Sequence, residues 1–103
     1  MIIIAARVEI DPVNLPELKA AVAAMENASR AEAGCIDYAF SQELGDPAYV
    51  RISERWQSME ALAAHFATPH MATFNKALGA RPPKSIDVKV YEVAREVALP
   101  GRR

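Results

Sequence analysis

The sequence predicts an α+β fold of the ferredoxin-like type, with the element order βαββαβ and an antiparallel sheet. Three observations support this prediction. Short runs rich in β-branched and aromatic residues recur along the chain, a long amphipathic segment follows the first run, and two adjacent helix starts precede the last one. Because this order is that of the split βαβ arrangement, we expect the helices to cover one face of the sheet.

The first strand is predicted over residues 2–10, where an Asp-Pro turn closes it. Asn14, followed three residues later by Glu17, is typical of a capping box, and apolar residues recur after it at helical spacing. We expect this helix to end at Gly34, which can adopt the left-handed conformation of a helix C-cap.

The second and third strands are predicted over residues 36–44 and 49–56, and the Gly-Asp-Pro sequence between them indicates a hairpin. Alternation in the third strand places Glu54 on the same apolar face as Trp56. A carboxylate on an apolar face needs a partner or a raised pKa, so Glu54 is a candidate site residue.

Two short helices are predicted next, the first capped by Ser58 and the second by Thr68, with a proline at the first helical position. His65 and His70 lie on either side of the break between these helices. The last strand is predicted over residues 86–97.

A chain of 103 residues, 51% of them hydrophobic, fits one domain, which we predict over residues 1–98. Residues 99–103 are predicted to form a mobile tail. The net charge of −1, without a basic patch, argues against nucleic acid and anionic membranes and favours a small neutral or apolar ligand. The first apolar run is too short for a signal peptide or a membrane span. Cys35 is the only cysteine, which excludes an internal disulfide and indicates a cytoplasmic location.

Apolar side chains occur on both sides of the first strand, with Ile3 and Ala5 on one side and Ile2, Ile4 and Val8 on the other. Helices on one face leave the second face uncovered. We therefore expect a homodimer in which two sheets pack face to face.

Three segments carry a resemblance to a known family: A-G-C-I-x-Y at residues 33–38, E-x-W at residues 54–56, and H-x-x-T-P-H-M at residues 65–71. Together with the Ser58 helix start, they resemble the antibiotic biosynthesis monooxygenase family. The resemblance implies a dimeric α+β barrel with a pocket between the sheet and the helices of each protomer. It also implies oxidation of quinols or polycyclic phenols by O2 without metal or flavin. Related branches degrade haem or isomerise a phosphorylated sugar, but Ala6 stands where the haem-degrading branch has asparagine.

Cofactor-free oxygenation requires a base, because triplet O2 reacts with an electron-rich anion rather than with the neutral phenol. His65 and His70 are the candidate bases, and Glu54 is a candidate orienter or proton acceptor. Each has a structural alternative: a hydrogen bond on the helix flank for His65, helix-start packing for His70, and a salt bridge to Arg7 for Glu54.

Six further residues are candidates for substrate binding. Five would form pocket walls and the sixth would hold an anionic group at the rim: Trp56, Tyr38, Phe66, Met71, Phe74 and Arg7. The alternatives are core packing for the five and an ion pair or solvation for the sixth.

No metal or organic cofactor is predicted. His65, His70 and Glu54 could be imagined as two imidazoles and a carboxylate around a metal, but the histidine spacing is not a recognised ligand spacing, and no glycine-rich nucleotide loop occurs. The sequence thus favours a monooxygenase. The alternatives are an isomerase or detoxifying enzyme acting on a reactive carbonyl compound, and a dimeric small-molecule-binding stress module without turnover.

Overall fold

A computed structural model describes residues 1–101 as a four-stranded antiparallel sheet with helices on one face. The strands are β1 (Ile2–Glu9), β2 (Cys35–Gln42), β3 (Tyr49–Trp56) and β4 (Ser85–Glu92), and the helices are α1 (Leu15–Arg30), α2 (Met59–Phe66) and α3 (Pro69–Ala80), with a 3₁₀ turn over Pro12–Asn14. The strand order is β2-β3-β1-β4. The predicted α+β, ferredoxin-like βαββαβ fold is therefore confirmed.

The core lies between the helices and the central strands. The even-numbered side chains of β1 are buried against the helices, and Ile4 of this set pairs with Glu54 of β3. Leu18 and Met25 of α1 and Leu62 of α2 are buried opposite them. The prediction that Glu54 shares the buried face of β3 is confirmed.

Local capping explains both short helices. Ser58 Oγ accepts a hydrogen bond from the Ala61 N–H (3.1 Å), and Thr68 Oγ1 accepts one from the Met71 N–H (3.3 Å), so both predicted starts are confirmed. The predicted capping box at Asn14 is wrong. Its side chain makes no cap hydrogen bond, because the 3₁₀ turn already begins the helical region.

Gly34 serves close packing rather than a left-handed cap. Within residues 1–101 only Gly101 has a positive φ, so the predicted conformation of Gly34 is wrong. A Cβ on Gly34 would collide with the Cβ of Ala61 in α2. The Gly34 carbonyl accepts a hydrogen bond from the Gln57 N–H (2.9 Å), which brings the turn before β2 against the turn after β3.

A bulge opens β2. Cys35 pairs with Trp56 and Asp37 with Arg55, so Ile36 is an extra residue without a partner in β3. The predicted apolar face began at Ile36, but the bulge exposes this side chain and turns Cys35 toward the core instead.

Three predicted strands were too long, the first of them, β1, by one residue. β2 ends at Gln42, with Leu44 exposed in the hairpin turn, and β4 ends at Glu92 rather than at residue 97. Of the predicted mobile tail, residues 102 and 103 lie outside the described part of the chain, and mobility stays a prediction. No helix within residues 1–101 is long and apolar enough to cross a membrane.

The outer face of the sheet carries ion pairs at one end. Arg7 Nε lies 2.7 Å from Glu43 Oε2, Arg51 Nε lies 3.0 Å from the same oxygen, and the Arg7 guanidinium stacks over the Tyr49 ring. Arg7 is thus on the face opposite Glu54, and it can neither pair with Glu54 nor reach the helix side of the sheet. The homodimer stays a prediction.

Candidate functional site

A group of polar side chains is enclosed where β2 begins and β3 ends. We call Glu32, Glu54, Trp56, His65 and His70 the polar cluster. It forms because Cys35 pairs with Trp56 across the sheet, so the turn before β2 and the two helices after β3 meet at one place.

Glu32 joins the two histidines. Its Oε2 lies 2.7 Å from His65 Nδ1 and 2.8 Å from His70 Nε2. An ionised carboxylate only accepts hydrogen bonds, so both ring nitrogens donate to it. When the two rings are neutral, this arrangement leaves the free lone pair on Nε2 of His65 and on Nδ1 of His70.

The His65 side chain is buried and packs between aromatic rings. It is 1% exposed, its ring lies against Trp56 with 4.6 Å between centroids, and the Tyr38 ring is 5.6 Å away. Thr68 Oγ1 donates a hydrogen bond to the His65 carbonyl (2.7 Å), which fixes the end of α2. His70, in the first turn of α3, is 24% exposed and gives the polar cluster its contact with solvent.

Glu54 has Trp56 rather than a histidine or an arginine as its hydrogen-bond partner. The Trp56 indole N–H donates to Glu54 Oε1 (2.9 Å). Burial raises the pKa of Glu54, and the indole hydrogen bond and the nearby His65 oppose this shift in part. The environment therefore favours a protonated Glu54 more than an exposed site would.

The Tyr38 ring lies beside the polar cluster, in contact with the rings of His65 and Trp56. Burial raises its pKa, the charge of Glu54 adds to this effect, and the neighbouring Ser29 hydroxyl opposes it. Tyr38 consequently keeps its proton and suits donation of a hydrogen bond to an anion rather than action as a base.

An apolar cavity of about 280 Å³ lies toward the other end of the sheet, under α1 and α3. Its walls include Val22, Phe40, Phe74 and Leu78, and within residues 1–101 its lining holds one ionisable residue, Lys19, and no histidine. We call this space the apolar cavity.

An aromatic path joins the two regions. The ring of Phe40, in the cavity wall, is 5.8 Å from that of Tyr38, which in turn contacts His65. A ligand in the apolar cavity is therefore separated from His65 by two aromatic side chains.

The structure brings most of the predicted site residues together. Five of them meet at or beside the polar cluster: His65, His70, Glu54, Trp56 and Tyr38. Phe74 lines the apolar cavity, and Met71 packs against the core. Phe66 is 56% exposed, so its predicted place in a pocket wall is wrong, because Leu62 and His65 are the residues of α2 that turn toward the sheet.

Sequence reasoning missed Glu32. It lies in the turn after α1, where a charged residue is ordinarily solvated, and no local pattern marks it. The strand order alone could have indicated it. In a βαββ order the start of the second strand lies beside the end of the third, so polar residues next to these two ends can be expected to lie close together.

Comparison with known proteins agrees with this fold. A candidate antibiotic biosynthesis monooxygenase from Deinococcus radiodurans shares the fold with a TM-score of 0.89, at 24% identity, over 98% of this chain and 100% of that chain. The Rv0793 protein of Mycobacterium tuberculosis has a TM-score of 0.83 and 26% identity, over 94% of this chain and 98% of that chain.

The sequence comparisons point the same way. An uncharacterised protein from Synechocystis sp. is 28% identical over 98 residues, which cover 95% of this chain and 67% of the relative. The family model for antibiotic biosynthesis monooxygenases matches residues 1–77. Because that match takes in β1 to most of α3, including all of the polar cluster, the chain belongs to the antibiotic biosynthesis monooxygenase family.

Proposed function

We propose that the protein is a cofactor-independent monooxygenase that oxidises a quinol-like or polycyclic phenolic molecule with O2. The observation that carries this proposal is the buried contact of 2.7 Å between Glu32 and His65, set among aromatic rings. Family membership supports oxygenase chemistry, and the aromatic surroundings support an aromatic substrate.

His65 is the proposed base. Its Nδ1–H is held by Glu32, so the lone pair on Nε2 can accept a phenolic proton. The imidazolium that forms is stabilised by the carboxylate, as in other paired histidine and carboxylate sites. Glu32 is therefore a positioning residue, and His70, on the same oxygen, helps to hold it in place.

Deprotonation makes the substrate anion electron-rich. The anion transfers one electron to O2, and the resulting radical pair recombines to form the new carbon–oxygen bond. Tyr38 keeps its proton and can donate a hydrogen bond to the substrate oxyanion. The product of recombination is a peroxide anion, and His65 returns its proton to the outer oxygen of that anion. The hydroperoxide then loses water as its O–O bond breaks and the hydrogen on the same carbon leaves as a proton, so that a carbonyl group remains on the product.

The apolar cavity is the proposed place for the substrate rings. Its lining of apolar side chains with a single ionisable residue suits an uncharged aromatic molecule. For the reacting hydroxyl to reach His65, Phe40 or Tyr38 must rotate away from the path between the two regions.

The test is oxygen consumption by metal-stripped protein with a panel of hydroquinones and anthrone-like phenols, with autoxidation subtracted. We expect enzyme-dependent uptake that falls about 10²- to 10⁴-fold in kcat in Glu32→Gln, with a smaller change in KM. Glu60→Gln, an exposed carboxylate in the first turn of α2, is the matched control and should retain full activity. Full activity in Glu32→Gln would contradict the assignment of the base.

A binding module without turnover is the second candidate, and the separation between the apolar cavity and His65 favours it. Saturable binding of an aromatic ligand without oxygen uptake would support this candidate. An isomerase acting on a carbonyl compound would use the same base but would turn over without oxygen.

A further inference from the structure

We propose that Glu32, His65 and His70 bind one divalent transition-metal ion of the Zn²⁺ class. The two ring nitrogens and the carboxylate oxygen all lie within 4.8 Å of one another. Two imidazoles with one carboxylate form a donor set that suits Zn²⁺ and its neighbours in the first transition row. Mg²⁺ and Ca²⁺ prefer oxygen donors and fit it poorly.

The distances between donor atoms require little rearrangement. In a tetrahedral site, metal–ligand bonds of about 2.0–2.2 Å place neighbouring donors about 3.3–3.6 Å apart. Glu32 Oε2 lies 2.7 Å from His65 Nδ1 and 2.8 Å from His70 Nε2, so the carboxylate oxygen must draw back slightly while the two nitrogens approach each other. His70 is the more exposed of the two rings and can make this adjustment.

The ligands come from three different elements, which hold them in place before any ion binds. Glu32 lies in the turn before β2, His65 in α2 and His70 in α3. Aromatic contacts fix the His65 ring against Trp56. His70 also lines a groove of about 260 Å³ between α1 and α3, with alanines on the facing wall, which gives an ion a route to the ligands.

Metal binding would prevent His65 from acting as the proposed base. This consequence rests on the proposed function, whereas the metal binding itself does not. An ion on His65 Nδ1 uses the lone pair of that nitrogen, so the ring proton must move to Nε2. His65 then offers a donor where the reaction needs an acceptor. The ion is accordingly an inhibitor of the cofactor-free oxidation.

The test is calorimetric titration of chelator-treated protein with Zn²⁺, with Co²⁺ absorption spectra as a second measurement of coordination. We expect one ion per chain. Loss of an outer-shell partner costs metal sites about 10- to 100-fold in affinity, so Glu32→Gln and His70→Ala should each weaken binding at least about tenfold. Glu60→Gln should bind Zn²⁺ as the wild type does. Circular dichroism checks that each variant folds.

The outcomes separate the two proposals. Absence of Zn²⁺ binding in the wild type, or equal binding by wild type, Glu32→Gln and His70→Ala, would overturn the metal site whatever the activity. One-to-one binding lost in those two variants supports it even if no substrate turns over. If the oxidation is observed and Zn²⁺ binds without inhibiting it, the metal site stands and the base role of His65 is contradicted.

Discussion

The polar cluster and the apolar cavity lie on the same face of the sheet but differ in what the fold encloses. In the polar cluster buried side chains hydrogen-bond one another, as Trp56 does with Glu54 and both histidines do with Glu32. The apolar cavity is instead an open space of about 280 Å³, lined mostly by apolar side chains. The proposed reaction needs both a base and a place for a ligand, so it requires that the two regions communicate through Tyr38 and Phe40.

The largest effect is expected at Trp56. It is fully buried against His65, so Trp56→Ala should lower the free energy of unfolding by about 3–5 kcal/mol, measured by denaturant titration. Trp56→Phe is the sharper variant, because it keeps a ring but removes the N–H that Glu54 accepts. It should cost about 1–3 kcal/mol.

A loss below about 1 kcal/mol in Trp56→Ala would show that this end of the core collapses around the deletion. The side chains of the polar cluster would then rearrange to fill the space. The cluster would no longer differ from the apolar cavity in how closely its side chains are packed.

The next effect concerns Glu54, whose pKa is raised by burial. A buried carboxyl with a raised pKa costs the folded state stability once the pH exceeds the pKa of the unfolded chain. Glu54→Gln keeps a carbonyl oxygen for the Trp56 N–H and removes this cost. The variant should therefore have a higher Tm than the wild type at neutral pH, and the difference should shrink as the pH falls below the ordinary carboxyl range.

Thermal unfolding of both proteins across this pH range measures the effect. A Tm difference that does not change with pH would mean that Glu54 titrates alike in the folded and unfolded chains, contrary to its buried position.

Local sequence patterns predicted much of the polar cluster. Alternation in β3 placed Glu54 beside Trp56, and side-chain caps located the helices that carry His65 and His70. These features depend on neighbours in the chain, so they can be read from it. Glu32 could not be identified in this way, because its partners lie 33 and 38 residues away.

The remaining features depend on packing between elements. The bulge that exposes Ile36 and turns Cys35 inward interrupts the alternation on which the strand prediction relied. The apolar cavity is a space left between α1, α3 and the sheet, and periodicity shows only which side chains face inward. The prediction for Phe66 failed for a similar reason, since an eight-residue helix can present only a narrow stripe to the sheet.

A smaller effect is expected at the apolar cavity. Val22→Leu adds one methylene group to its wall and should change the free energy of unfolding by less than about 1.5 kcal/mol. It should nevertheless weaken binding of an apolar fluorescent probe, while Zn²⁺ binding at the polar cluster stays unchanged. Val13→Leu, at an exposed position, is the matched control.

If Val22→Leu also weakened Zn²⁺ binding, the two regions would be coupled through the core rather than separate. If it left probe binding unchanged, the probe would bind elsewhere on the protein.

The smallest effect is expected on the outer face of the sheet, where the pKa of Glu43 is shifted in the opposite direction to that of Glu54. Hydrogen bonds from Arg7, with a further contribution from Arg51, lower the pKa of Glu43 from 4.5 to about 2. A lowered pKa gives stability that is complete above the unfolded value and is lost as the pH falls toward the folded one. Glu43→Gln should thus lower Tm slightly at neutral pH, because exposed pairs contribute little, and the deficit should vanish as the pH falls below about 2. If the Tm deficit persisted at that pH, its cause would be lost packing of the arginine side chains rather than lost charge.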